Sequence, residues 1–114
     1  MLTIYHNPRC SKSRQTLSLL QDQGLDPEII LYLETAPSPE TIALLLKKLG
    51  IGARQLLRRG EQEYKDQSLA DTSLSEQQLI AAMAEYPKLI ERPIVVNGER
   101  AAIGRPPEAV LEII

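Results

Sequence analysis

The stretch IYHNPRCSKSR, residues 4 to 14, holds both the only cysteine and the only histidine of this 114-residue chain. Around Cys10 it places three cationic side chains, Arg9, Lys12 and Arg14, and two serines. The thiolate is the nucleophilic form of cysteine, and nearby positive charge favours it over the thiol. The stretch therefore predicts a reactive cysteine that faces an anion.

The elements on either side of Cys10 point to the same chemistry. Residues 2 to 5, LTIY, predict a short strand, and residues 11 to 23 predict a helix that stops before Gly24. Cys10 would then lie at the first turn of a helix, where backbone N–H groups lack partners and the macrodipole is positive. Helix N-termini of this kind also bind oxyanions.

A structural role is the alternative for Cys10, because cysteine often packs as a small buried hydrophobe. Residues 8 to 13 are almost all polar, which favours the reactive interpretation. For His6, a hydrogen-bonded role at the end of a strand fits at least as well as a catalytic one. One cysteine and one histidine fall short of a tetrahedral ligand set, so the sequence predicts no metal site.

Spacing excludes two known cysteine motifs. A tyrosine-phosphatase loop needs an arginine where this chain has Thr16, and a thioredoxin-type C-x-x-C motif needs a second thiol where it has Ser13. Because the chain has no second cysteine, an intermediate on Cys10 must be released by a thiol from outside the protein.

Three further arginines lie at the edges of predicted elements: Arg58 in LLRRG, Arg92 in IERPIVV and Arg105 in IGRPPE. Taken singly, an arginine in such a place is more often solvated than a ligand. The prolines that follow Arg92 and Arg105 hold those two backbones extended, so that a side chain can be directed at a pocket. A guanidinium group donates two parallel hydrogen bonds, which suits a tetrahedral oxyanion.

Apolar periodicity and capping residues predict the remaining elements. In the first half these are a buried strand at 27 to 33, a helix opened by Ser38 and Pro39 and ended by Gly50, and one or two helical turns at 53 to 59. In the second half they are a loop or short helix at 60 to 73, a helix from the Ser75–Gln78 capping box to about Glu85, a PIVV/RAAI hairpin turning at Asn97–Gly98, and a C-terminal helix opened by Pro106 and Pro107.

Composition limits the class of protein. The length predicts one domain over residues 1 to 114, with the ordinary globular content of 43% hydrophobic and 25% charged residues. A net charge of −2 leaves no electrostatic footprint for nucleic acid. No apolar run is long enough to span a bilayer, and no signal-peptide pattern is present. Together with the single cysteine, these features predict a cytoplasmic protein without nucleic-acid or membrane partners.

Five motifs in fixed order, IYHNPRCSKSR, YLET, LLRRG, ERPIVV and IGRPPE, resemble the ArsC family of glutaredoxin-coupled arsenate reductases, and within it the short YfgD-like branch. The resemblance covers essentially the whole chain. It implies an α/β thioredoxin-like fold with a small mixed four-stranded sheet, built from a β-α-β and a β-β-α part with a helical insertion between them.

The resemblance also implies roles for individual residues. Cys10 would be the nucleophile that attacks arsenate. The oxyanion would be bound by Arg58, Arg92 and Arg105, and the thiolate and its loop would be supported by His6, Asn7 and Ser13. Arg92–Pro93 would match the cis-proline position of thioredoxin-like folds. Glutathione, an external thiol rather than a bound cofactor, would attack the arsenylated cysteine, and glutaredoxin would clear the resulting mixed disulfide.

Other functions stay open at this point. Spx-like regulators share the fold, bind RNA polymerase and use a C-x-x-C redox switch, which Ser13 in this chain argues against. A thiol protein that becomes glutathionylated at Cys10 without turnover is a third possibility. Within the reductase interpretation, another oxyanion or a small disulfide is an alternative substrate.

Overall fold

The computed structural model describes residues 2–114, and they form a mixed sheet in the order β2-β1-β3-β4. Its strands are β1 (Leu2–Tyr5), β2 (Glu28–Ile30), β3 (Ile94–Asn97) and β4 (Arg100–Ile103). Strand β1 runs parallel to β2 and antiparallel to β3, and β3 pairs antiparallel with β4. The predicted α/β thioredoxin-like fold with a mixed four-stranded sheet is confirmed.

The helices follow the predicted order. They are α1 (Ser11–Asp22), α2 (Pro39–Leu49), α3 (Ala53–Leu56), α4 (Gln62–Asp66) and α5 (Glu76–Glu85), with 3₁₀ segments at Pro87–Leu89 and Pro107–Ile113. The Ser38 hydroxyl accepts the Thr41 N–H at 3.1 Å, and Ser75 and Gln78 form the predicted capping box. No helix within residues 2–114 is long and apolar enough to cross a membrane.

The chain divides into two compact units. The sheet unit comprises residues up to Thr35 and from Arg92 onward, and the helical unit is Ala36–Glu91. The sheet unit holds all of the strands named above, together with α1 and the C-terminal 3₁₀ helix. The single domain expected over residues 1 to 114 stays a prediction.

The core of the sheet unit is aliphatic, as a chain without Phe or Trp requires. The buried cluster consists of Ile4, Leu20, Val95, Val110 and Ile113. Ile4 and Val95 are cross-strand partners on β1 and β3, and α1 contacts the C-terminal 3₁₀ helix. Each fully buried aliphatic side chain contributes about 1.5–3 kcal/mol. This core holds the end of β1 and the start of α1, which flank Cys10, in a fixed relation.

The helical unit packs α2 and α3 against α5. The buried side chains are Ile42, Leu45 and Leu46 on α2, and Leu79, Ile80 and Met83 on α5. Two backbone hydrogen bonds pair the chain around Arg58 with the chain around Ile90. The Arg58 N–H donates to the Leu89 carbonyl at 2.8 Å, and the Glu91 N–H donates to the Leu56 carbonyl at 2.9 Å. These bonds fix the backbone of Arg58 within the helical unit.

The second strand differs from the prediction of a buried strand at 27 to 33. Strand β2 covers only Glu28–Ile30 and lies at the edge of the sheet, where Ile29 is 46% exposed. The chain leaves the sheet after Ile30, because the N–H groups of Glu34 and Thr35 both turn back to the Leu31 carbonyl at 2.9 Å. The apolar run at 27 to 33 therefore contains a short edge strand, Glu28–Ile30, followed by a turn.

The hairpin and the C-terminus also differ in detail. Asn97 pairs with Arg100, so the two-residue loop is Gly98–Glu99 rather than Asn97–Gly98. Gly98 has a φ of 63°, which suits glycine at the first loop position. The predicted C-terminal helix is a 3₁₀ helix over Pro107–Ile113, with Pro106 as its N-cap residue.

Candidate active site

Cys10 lies at the corner where β1 leads into α1. It is the N-cap residue of α1, with extended backbone angles, and its carbonyl accepts the Arg14 N–H at 3.0 Å. A turn precedes it, because the Cys10 N–H donates to the Asn7 carbonyl at 3.0 Å. The residue is only 8% exposed. This position directs the N–H groups of the first helical turn toward the sulfur.

Two of the predicted arginines lie beside Cys10. Arg105 Nη2 is 3.6 Å from Cys10 Sγ, and Arg105 Nε donates to the Arg92 carbonyl at 2.8 Å. Arg92 precedes β3 and Arg105 follows β4, and the pairing of Ile94 with Ile103 brings those two strand ends together. The antiparallel hairpin therefore brings the guanidinium of Arg105 and the positive charge of Arg92 to one thiol.

Both arginines precede cis peptide bonds, at Arg92–Pro93 and at Arg105–Pro106. The first occupies the position that the resemblance assigned to the cis-proline of thioredoxin-like folds. The second was not predicted, although both sequences have the same Arg-Pro form.

The surroundings of the sulfur favour the thiolate. Burial raises the pKa of the Cys10 thiol, but it is outweighed by the backbone N–H groups of Ser13 and Lys12 and by the charges of Arg92 and Arg105. The pKa of Cys10 is therefore lowered from its ordinary value. A lowered pKa gives Cys10 a larger thiolate fraction at neutral pH than an ordinary cysteine has.

His6, Asn7 and Ser13 form one hydrogen-bonded group beneath the loop. Ser13 Oγ lies 2.6 Å from His6 Nδ1 and accepts the Asn7 N–H at 3.0 Å. Burial, and after it the charge of Arg14, lowers the pKa of His6, so the ring is neutral at pH 7. These contacts join the loop before Cys10 to the first turn of α1.

The other predicted cations have the following surroundings. Arg58 belongs to the helical unit, where its guanidinium is 2.8 Å from the Glu61 carboxylate and 3.9 Å from that of Glu91. Arg9, Lys12 and Arg14 are exposed on the loop and first turns of α1. Arg14 Nη1 donates to the Pro8 carbonyl at 2.9 Å and so braces the loop.

The sequence analysis missed Gly104 and Thr16, which pack next to the site. A Cβ at Gly104 would lie 2.8 Å from Pro93 Cγ and would collide with the Thr16 hydroxyl. Thr16 is fully buried, and its hydroxyl donates to the Lys12 carbonyl at 2.8 Å. The only sequence signal was the position of Gly104 directly before Arg105. Glycine here allows the end of β4 to approach α1 closely.

Within residues 2–114, no three His, Cys, Asp or Glu residues are placed to hold a metal ion. The site combines a sulfur whose thiolate is favoured with fixed positive charge. That combination suits attack on a tetrahedral oxyanion.

Comparison with known proteins gives full-length matches. The ArsC family model matches residues 5–113. The chain is 60% identical to the uncharacterized protein YfgD of Escherichia coli strain K12, over 97% of this chain and 94% of that protein. It is 51% identical to an arsenate reductase of Haemophilus influenzae, over 97% of each chain. A solved structure, the arsenate reductase from Vibrio cholerae, superposes with a TM-score of 0.97 at 55% identity and covers 99% of this chain and 97% of that one.

Proposed function

Because the chain belongs to the ArsC family, we propose that it is an arsenate reductase whose Cys10 thiolate attacks arsenate. The observation that carries the proposal is the approach of Arg105 Nη2 to 3.6 Å from Cys10 Sγ, beside the backbone of Arg92. An anion drawn to these guanidinium groups would be held against the nucleophile. Attack forms a bond from sulfur to arsenic and expels one arsenate oxygen as water after protonation.

The second step needs a thiol from outside, since Cys10 is the only cysteine. A glutathione thiolate attacks the Cys10 sulfur, and the sulfur–arsenic bond breaks with its electron pair on arsenic. A disulfide between glutathione and Cys10 forms, so the two sulfurs together lose two electrons and arsenic(V) becomes arsenic(III). A glutaredoxin thiolate then attacks the glutathione sulfur and frees the Cys10 thiolate.

A coupled assay tests this function directly. Arsenate, glutathione and glutaredoxin are supplied with the protein, and arsenite is measured as the product. Arsenite formation that requires all three additions supports the proposal. Absence of arsenite, with a glutaredoxin shown to be active on another mixed disulfide, contradicts it.

Substitution of the arginines is expected to weaken anion binding. A hydrogen bond to a charged group contributes about 1.5–3 kcal/mol, so Arg92→Ala and Arg105→Ala should each weaken arsenate binding by about tenfold or more. Isothermal titration with arsenate measures the effect. Arg59→Ala, which removes an exposed arginine of the helical unit, serves as the control.

Arg58 is proposed as a third arsenate ligand on the family resemblance alone. Its guanidinium lies against the carboxylates of Glu61 and Glu91, so its release from them would accompany anion binding. Arg58→Ala in the same titration decides its role separately. Unchanged arsenate affinity in Arg92→Ala and Arg105→Ala would remove the proposed anion site, whatever Arg58 does.

A further inference from the structure

A groove of about 340 Å³ lies beside the loop that carries Cys10, within the sheet unit. One wall is residues 6 to 9 of the loop, and the other is formed by Leu31, Leu33 and Glu34 after β2. The volume falls at the lower end of the range for small-molecule sites, roughly 300–1,000 Å³. The residues that line the groove do not include Cys10, Arg92 or Arg105.

We propose that this groove binds the peptide thiol that releases Cys10, with a carboxylate of the thiol on Arg9 and its ammonium group on Glu34. The inference rests on the proposed function, since only an intermediate on Cys10 needs an external thiol. The ligand class is a small zwitterionic thiol, of which glutathione is the proposed member.

The charged side chains that line the groove support this assignment. Arg9 and Glu34 are exposed, line the same groove and carry opposite charges. Among residues 2–114 neither side chain takes part in an ion pair, unlike Arg58 with its carboxylate partners. Both charges are therefore available to a ligand that carries an anionic and a cationic group. A simple anion would use only Arg9.

The apolar side chains that line the groove also suit a peptide thiol. Leu33 is 40% exposed, and Pro8 is also exposed, while Leu31 is half-buried. A peptide thiol has methylene groups between its charged ends, and these can cover the exposed apolar surface. A groove with an apolar floor and opposite charges suits such a molecule better than it suits an inorganic oxyanion.

The loop that forms one wall of the groove is held by hydrogen bonds. Arg9 directly precedes Cys10, its N–H donates to Asn7 Oδ1 at 3.0 Å, and the Pro8 carbonyl accepts from Arg14. The wall of the groove is thus part of the braced loop that holds the nucleophile. Arg9, which would bind the carboxylate of the thiol, is the residue directly before Cys10 in the sequence.

The position of the groove also separates the two ligands. The groove adjoins the end of β2, whereas Arg92 and Arg105 come from β3 and β4, and β1 lies between β2 and β3 in the sheet. A thiolate attacks a sulfur from the side opposite to its leaving group. A thiol held in the groove would approach Cys10 from the β2 side of β1, and arsenic held at Arg92 and Arg105 from the β3 side, so the two ligands would not compete for one site.

Steady-state kinetics test the assignment. Arg9→Ala, Glu34→Gln and the double reversal Arg9→Glu/Glu34→Arg are each expected to raise KM for glutathione about tenfold, with KM for arsenate little changed. Because the double reversal keeps the net charge of the protein, a higher KM for glutathione in that variant reports altered recognition of glutathione rather than a change in the overall electrostatic field. Arg59→Ala and Glu99→Gln, which change exposed charges outside the groove, are the controls.

A binding measurement separates this inference from the proposed function. S-methylglutathione, which cannot react, is titrated into the Cys10→Ser protein and followed by backbone amide NMR shifts. Shifts at residues 6 to 9 and 31 to 34 support the groove, even if arsenate is not the substrate. No shifts there, or an unchanged glutathione KM in active Arg9 and Glu34 variants, overturns it while leaving arsenate reduction intact.

Discussion

Cys10→Ser is expected to abolish arsenate reduction, reducing arsenite formation to the uncatalysed background. A serine hydroxyl is far less acidic than a thiol, so the attacking anion is lost at neutral pH. In addition, serine cannot form the disulfide bond through which two electrons leave sulfur for arsenic. The loss therefore affects both halves of the proposed reaction.

The Cys10→Ser protein should keep its fold, because residue 10 is an N-cap position and serine is among the residues favoured there. Thermal unfolding followed by circular dichroism checks this point. Ser11→Ala, an exposed neighbour on the first turn of α1, is the matched control and should retain turnover. Arsenite formation by the Cys10→Ser protein at the wild-type rate would end the proposed mechanism.

Gly104→Ala is expected to produce the largest change in stability among single substitutions near the site. The added Cβ would lie 2.8 Å from Pro93 Cγ and would overlap the hydroxyl of Thr16, which is fully buried. Such overpacking lowers the free energy of unfolding by about 1–3 kcal/mol. The strain falls between Pro93 and Arg105, so weaker arsenate binding should accompany it.

Gly60→Ala is the control for Gly104→Ala, because a Cβ at Gly60 meets no atom within 4 Å. Thermal unfolding of both variants measures the difference, and Gly104→Ala should melt several degrees lower. Thr16→Ala in the Gly104→Ala background should recover part of the loss, since it removes one of the two obstacles. Equal melting temperatures for Gly104→Ala and Gly60→Ala would contradict the close packing.

Local signals in the sequence located the helices well. Ser38 with Pro39 opens α2, the Ser75–Gln78 capping box opens α5, and Gly24 and Gly50 follow α1 and α2 with positive φ. These predictions of helix ends are confirmed because capping depends on residues within one turn of the helix end.

Features that depend on distant partners could not be found in the same way. The apolar run at 27 to 33 gave no indication that β2 is an edge strand, since that follows from the strand order. The hairpin loop is displaced by one residue because the pairing of Asn97 with Arg100 sets its register. Local preferences do not determine either property.

The same distinction between local signals and distant partners applies to the residues of the candidate site. The lone cysteine at a predicted helix start made Cys10 the candidate nucleophile from local residues alone. The grouping of Arg92 and Arg105 came only from the family resemblance, because their approach depends on the antiparallel pairing of β3 and β4. The contact of Gly104 with Thr16 and the groove at Arg9 and Glu34 emerged only from the folded chain.

The central claim is that the folded chain stabilises the Cys10 thiolate through helix N–H groups and two arginines. The rate of iodoacetamide alkylation as a function of pH tests it most directly, because only the thiolate reacts. The structure predicts a midpoint below that of free cysteine, about 8.5, and a higher midpoint in Arg92→Ala and in Arg105→Ala. A wild-type midpoint at or above that of free cysteine, unmoved by either substitution, would contradict the claim.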